Sequence, residues 1–477
     1  MRSNFLAAIF ASVLTGFTTL ATAEQVTVSS DPERTGAADR PALRQGIDIR
    51  ETPNPEPLQS FRLRASLEDI STGPRGLRGA LQTALGRDAD WQAALLDVKV
   101  ADRQVWQELL RFTPVVTGTL QTNHSSAADG SRPLDLVDRE SYIAISASLP
   151  IWTSGSRYYG IKAARSRRDA LVYEAMAARD QASIRLIDTW VRSLTGARDL
   201  ELHQSSIERL KRLRTAVVAR QRSGFASSDD IAMVDANLAT ANQTLSSIEG
   251  GLEKANGNLK RLAGQIPDRS ARIVRFDVYF QAGKQAFIER AHRTNPSLQA
   301  AASRYRTETY STRSAMSKLL PSVNLTGEYR HYLESSRQAY DDRGLTVGVR
   351  LQVPLFDLSS VAETAAQKAR KEAALYREVS ALNAVETQID ELWSDRKATI
   401  AMRNEAEREL AARTNNAAAA LNRFRKGLGS LEDAIRAQSS LLTAQRTALQ
   451  LKAQKTVLSA QLLLISGQFT AAMLNQN

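Results

Sequence analysis

The sequence predicts a mainly α-helical protein with a small β part, built twice from one pattern. In each copy a pair of strands leads into a very long coiled helix. Three observations carry this. Landmarks recur at a nearly constant offset: Pro114 and Pro321 are 207 positions apart, Trp91 and Leu298 open "WQAA" and "LQAA" at the same offset, and Gly224 and Gly427 are 203 apart. Two stretches, Ser156 to Arg222 and Ser359 to Lys426, contain no proline, and Gly196 is the one glycine interrupting the middle of their helical pattern. Four short segments alternate apolar with polar residues.

The chain has 477 residues. Arg2 followed by the apolar run Phe5 to Leu20, with Ala21-Thr22-Ala23 as a small-x-small site, reads as a signal peptide over residues 1–23 and a mature start at Glu24. Residues 24–76 are punctuated by Pro32, Pro41, Pro53, Pro55, Pro57 and Pro74 and keep no apolar period, so they read as an irregular periplasmic segment. From Leu77 the composition becomes helical, rich in Ala, Leu, Arg, Gln and Glu. The first repeat spans 77–264, an inter-repeat linker 265–283, the second repeat 284–467 and a tail 468–477. Each repeat runs helix, strand, loop, strand, very long helix, break, helix.

Period 2 is clearest in Leu345–Val353, where Leu345, Val347, Val349, Leu351 and Val353 alternate with Thr346, Gly348, Arg350 and Gln352. In Ser322–Arg330, Val323, Leu325 and Tyr329 oppose Asn324, Thr326, Glu328 and Arg330. In Ser141–Ile151, Ile143, Ile145, Leu149 and Ile151 share a face, and Val116 and Leu120 do so more weakly in Val115–Thr122. Such strands suit a membrane barrel, with Ile143, Ile145, Val323, Leu325, Val347, Val349 and Leu351 as the lipid-facing set. A half-buried soluble hairpin shows the same alternation. The loops near Ala127–Asp135 and Ser335–Asp342 combine small and charged residues and are expected at the cell exterior.

The long segments tip the balance. About 67 residues of helix extend on the order of 100 Å, against about 11–12 residues for an average helix. Ile184, Ile187, Val191 and Leu194 step 3, 4, 3, while Ile231, Leu238, Leu245, Leu252 and Leu259 recur every seventh residue. So do Ile435, Leu442 and Leu449, and plentiful alanine permits helix neighbours on more than one side. Single-chain outer-membrane barrels start at about eight strands, and open sheet edges are not viable in lipid. Four strands must therefore be shared among copies, giving 8, 12 or 16 under cyclic symmetry.

Enzyme and nucleic-acid classes find no support. The net charge of +12 comes from 63 basic and 51 acidic residues spread along the chain, ordinary for long solvated helices. There is no cysteine, hence no disulfide and no lipidated N-terminal cysteine. His124, His203, His292 and His331 are scattered, with His124 and His331 read as solvated residues at corresponding hairpin ends. No metalloprotease, P-loop or dinucleotide motif occurs. No catalytic residue, metal or cofactor is assigned. Asp229–Asp230 and Glu432–Asp433 read as helix starts, where carboxylates meet free amides.

The duplicated order, the prolines at helix–strand crossings, "VGVRLQVPLFD" at the end of the fourth strand and the G-x-x-S-x-x-D tips at Gly224 and Gly427 resemble the TolC-like outer-membrane efflux proteins over roughly residues 77–467. The resemblance implies a homotrimer with a 12-stranded outer-membrane barrel above an α-helical periplasmic tunnel. It implies a passive duct for efflux or type I secretion, docked at its tips by a periplasmic adaptor and an inner-membrane transporter. By position in the motif, Asp433 and Asp230 fall at the periplasmic gate, with Phe424 where the family carries an aromatic. Arg436 stands where another acidic residue can occur, and an Asp433–Arg436 pair across one turn is expected. The adaptor-docking tips would comprise Arg222, Gly224 and Phe225 with Arg425, Gly427 and Leu428. The competing architecture is a periplasmic coiled-coil scaffold that forms no channel.

Overall fold

A computed structural model describes residues 76–125, 138–268, 271, 276, 280, 283–335 and 343–469. The expected signal peptide, the proline-rich segment but for Gly76, and the two exterior hairpin tips but for Ser335 lie outside these residues. The first repeat consists of α1 (Leu77–Arg87), α2 (Ala89–Leu110), β1 (Val115–Ser125), β2 (Asp138–Trp152), α3 (Ser156–Arg222) and α4 (Ser228–Ala263). The second repeats that order with α5 (Lys284–Thr294), α6 (Pro296–Ser317), β3 (Ser322–Ser335), β4 (Arg343–Gln352), α7 (Leu358–Arg425) and α8 (Leu431–Ile465).

The single opening helix expected in each repeat is instead two. Asp88 caps α2 by accepting from Trp91 N at 2.9 Å, and Asn295 caps α6 by accepting from Ser297 N and Leu298 N. The Asn295-Pro296 pair carries the break in its own chemistry, because a residue before proline is disfavoured in the helical region and proline suits the first helical turn. Helix lengths in the two repeats correspond closely: 11 and 11, 22 and 22, 67 and 68, 36 and 35 residues. Strand lengths do not, at 11 and 15 against 14 and 10.

The strands form one antiparallel sheet in the order β1-β2-β3-β4. Both reach further than the sequence suggests, so His124 and His331 lie within strands, opposite Arg139 and Arg343, and are not loop residues. The helices form a wall two ways. Nearer the sheet α2 packs on α3, α3 on α6 and α6 on α7; further along, α4 packs on α3, α3 on α8 and α8 on α7. At both levels α7 stands at one edge, with α2 or α4 at the other.

Cores form where helices crowd. In the larger cluster the heptad residues Ile187, Val191 and Leu194 meet Leu77, Leu259, Ile389 and Leu463. The inter-repeat linker belongs to it: Phe276 is buried, and Phe280 stacks on Phe287 with centroids 5.2 Å apart. Arg396 covers the Phe280 ring at 3.7 Å. Cation–ring contact and apolar burial together pin the linker against α5 and α7. At the head of α7, Asp357 accepts from the Ser360 and Ser359 hydroxyls and from Ser360 N, which lowers its carboxyl to about 2.

The end of α8 is stitched to the α5–α6 corner. Asn295 Nδ2 donates to Ile465 O at 2.9 Å and Thr294 Oγ1 to Ser466 O at 3.0 Å. Gly467 turns the chain away at φ 65°, and a Cβ there would lie 2.8 Å from the Thr294 Cβ. Left-handed backbone costs a non-glycine residue about 1–2 kcal/mol, and overpacking about 1–3 more. Gly467→Ala is therefore expected to destabilise the fold by about 2–4 kcal/mol, read as a lowered midpoint in thermal unfolding followed by circular dichroism.

Candidate channel surface and tip sites

Directly opposed residues of an antiparallel ladder share a face, so register sorts the sheet. Val116, Leu120, Ile143, Ile145, Leu149, Val323, Leu325, Tyr329, Leu345, Val347, Val349 and Leu351 all fall on one face. The seven residues singled out as lipid-facing are among them. The other face carries Thr117, Thr119, Gln121, Tyr142, Ser146, Asn324, Thr326, Glu328, Arg330, Thr346 and Arg350.

On β2 exposure runs opposite to a soluble sheet: Ile143 and Ile145 are 43% and 52% exposed, while Ala144 between them is 6%. Val349 on β4 is 67% exposed; Val323 and Leu325 on β3 are half-buried. The polar face is knit together. Thr117 and Ser146 share a hydroxyl–hydroxyl bond of 2.7 Å, and Arg330 donates to Glu328 at 3.0 Å and to the Tyr332 hydroxyl at 3.1 Å while lying 4.6 Å above the Tyr142 ring. A continuous apolar surface of this kind in water is an interaction or membrane surface. Among the described residues no helix is long and apolar enough to cross a membrane, which leaves strands untouched.

At the far end, α3 and α7 each finish in a Schellman turn. Gly224 and Gly427 both adopt φ 77°. Gly224 N donates to Gln221 O at 2.9 Å and Phe225 N to Arg220 O at 2.8 Å; Gly427 N donates to Phe424 O at 3.0 Å and Leu428 N to Arg423 O at 2.9 Å. The residue after the glycine commonly packs back on its own helix. Here Phe225 and Leu428 remain 75% and 76% exposed. Arg222 and Arg425 are exposed beside them.

The residues expected at the gate separate. Asp230 is consumed by a capping box: Ser227 N donates to its carboxylate at 2.8 Å, and its own N–H donates to Ser227 Oγ at 3.1 Å. In the second repeat Ser430 Oγ accepts from Asp433 N at 3.0 Å. Among the described residues the exposed Asp433 carboxylate has no hydrogen bond or ion pair. The expected Asp433–Arg436 pair is not formed within the chain. Arg436 ion-pairs with Glu432, the i, i+4 spacing with the acid N-terminal that helices favour.

Phe424 is buried in the tip core with Leu213, Val217, Val234, Leu431 and Ile435. Arg220 lies 4.9 Å above its ring and donates to its carbonyl at 2.7 Å. An aromatic without a hydroxyl gains more from the apolar core than from solvent. Arg220, which the sequence reading did not single out, thus ties the two helical hairpins; Arg446 does the same higher up, donating to Asp199 at 2.8 and 3.0 Å. No local motif marks these cross-repeat partners.

A family model described as outer membrane efflux protein matches residues 80–265 and 287–468, one segment per repeat. The chain belongs to the outer membrane efflux protein family. Its place in the outer membrane follows from that membership. This outer membrane efflux protein is 23% identical over 340 residues to Protein CyaE of Bordetella pertussis, covering 69% of this chain and 71% of that one. It shares its fold with the solved structure of CusC (TM-score 0.73, 16% identity, 82% of this chain and 92% of that one). VceC from Vibrio cholerae is similar at TM-score 0.71 and 18% identity, over 82% and 96% of the two chains.

The unequal use of the two tip aspartates can be measured. Removing a cap costs about 0.5–2 kcal/mol. Asp230→Ala and Ser430→Ala are each expected to cost about 1 kcal/mol in thermal melts, whereas Asp433→Ala is expected to change stability by less than about 0.5 kcal/mol.

Proposed function

We propose that the protein forms a passive homotrimeric channel-tunnel for efflux or type I secretion, energised by an inner-membrane transporter reached through a periplasmic adaptor. The observation that carries this reading is the four-stranded sheet, with its exposed apolar face and two unpaired edges. Pairing β4 of one copy with β1 of the next closes three copies into 12 strands. The same closure sets α7 beside the α2 and α4 of its neighbour, and so continues the helical wall. Lipid then meets Ile143, Ile145, Val323, Leu325, Val347, Val349 and Leu351, while the polar face lines water. A coiled-coil scaffold without a channel would leave that apolar face in water.

The tips supply the docking surface. Phe225 and Leu428, flanked by Arg222 and Arg425 and raised on the turns at Gly224 and Gly427, offer an apolar knob in a basic setting to the adaptor. At the mouth, three copies of Asp433 converge around the axis; their carboxylates are unspent within the chain and repel one another in a narrow space. Arg436 tempers this ring, since it neutralises Glu432 in each copy.

A charged residue on the lipid face near the midplane costs about 2–4 kcal/mol. Val349→Arg is thus expected to abolish most heat-resistant trimer on denaturing gels, while Arg350→Glu leaves it. Equal yields from both variants would overturn the face assignment.

At the tip, Asp433→Ala is expected to preserve the trimer but raise resting conductance in planar bilayers. Arg436→Ala is expected to shift selectivity toward cations by releasing Glu432. Recordings unchanged in both variants would place the constriction elsewhere.

A further inference from the structure

We propose that Arg350 forms an uncompensated cationic ring inside the barrel that favours anionic solutes. The inference rests on the trimeric barrel reading above and adds a selectivity element to it. Arg350 lies on the polar face of β4, opposite Asn324. Its side chain is exposed and, among the described residues, makes no hydrogen bond or ion pair. Of the other described charges of that face, Arg330 is held on Glu328, and the Asp138 and Glu140 positions lie at the far end of β2, ten or more residues from Pro150, which is level with Arg350 through Asn324. Glu328 stands opposite Thr346, four residues along β4 from Arg350, a separation of roughly 13 Å.

Among the described strand positions, none beside Arg350 carries a counter-charge. Around Arg350 the polar face presents Asn324, Thr326, Ser146, Ser148 and Gly348. The seam with the next copy would bring β1 alongside, and the polar-face positions of β1 are Val115, Thr117, Thr119, Gln121, Asn123 and Ser125. All six are neutral, so no register of that seam places a described β1 carboxylate beside Arg350. Twelve strands about 4.8 Å apart and tilted about 40° enclose a barrel roughly 24 Å across. Three inward guanidinium groups at one level then lie within about one Debye length of the axis, ~10 Å at 0.1 M salt. Rings of arginine in a confined pore select for anions.

The test uses the purified full-length chain in planar bilayers under a potassium chloride gradient, in an Asp433→Ala background that removes the acidic tip. The parent is expected to reverse on the anion-selective side. Arg350→Gln is expected to lower the chloride-over-potassium permeability ratio about threefold at 0.1 M salt, and Arg350→Glu to invert the preference. Arg350→Lys, which keeps the charge, is expected to behave as the parent, and the differences should shrink at 1 M salt. Normal conductance with equal reversal potentials in parent, Arg350→Gln and Arg350→Glu overturns the ring and leaves the channel reading standing, as does a cation-selective parent. A parent that gives no conductance steps overturns the channel reading and this inference together.

Discussion

Backbone hydrogen bonding at β1 and β4 governs the rest of the molecule. Among the described residues, each has ladder partners on one side and none on the other. In water such an edge is a liability; in hydrocarbon it is untenable, because no solvent satisfies the free N–H and C=O groups. The proposed copy number, the pairing of α7 with a neighbour's α2 and α4, and the convergence of tip residues on one axis all follow from satisfying those two edges. The helices contribute by continuing the same left-to-right order below the sheet, so one rotation closes both layers.

Much of this was legible in the sequence because duplication repeats its own punctuation. Pro114 and Pro321 mark helix–strand crossings, Gly224 and Gly427 sit at left-handed turns that cost other residues about 1–2 kcal/mol, and α3 begins and ends at the residues expected for it. The strand faces were legible because period 2 and ladder register are the same fact seen twice. The split at Asp88 was not, since one aspartate in a helical run signals a cap only weakly. What lay beyond reach was contact between repeats. Arg220 on Phe424, Arg446 on Asp199 and Phe280 between Phe287 and Trp393 join residues far apart in sequence, and no spacing rule connects them.

The candidate gate shows how the two copies diverged. Ser227 and Ser430 occupy matching positions and each accepts from the amide three residues on. Only Asp230 returns the bond to its capping serine. Motif position ranked the two aspartates as near equivalents; hydrogen bonding separates one as structural and leaves the other unoccupied. At Phe424, family position names only an aromatic beside the tip, and burial adds that its ring is held in the core between the two hairpins. Sequence fixes which residue sits at a turn, but packing decides which way its side chain is spent.

The matched helix lengths carry a consequence for how such a chain can change. Two rods of 67 and 68 residues start at the same sheet and must finish level for their tips to share a plane. One inserted helical turn of about 3.6 residues would raise a tip by about 5.4 Å and rotate nothing else back into place. The strands are held to no such match, at 11 and 15 residues against 14 and 10. The paired helices therefore act as two rulers cut to one measure: a tunnel of this kind can be lengthened in evolution only by altering both together, while its strands can change one at a time.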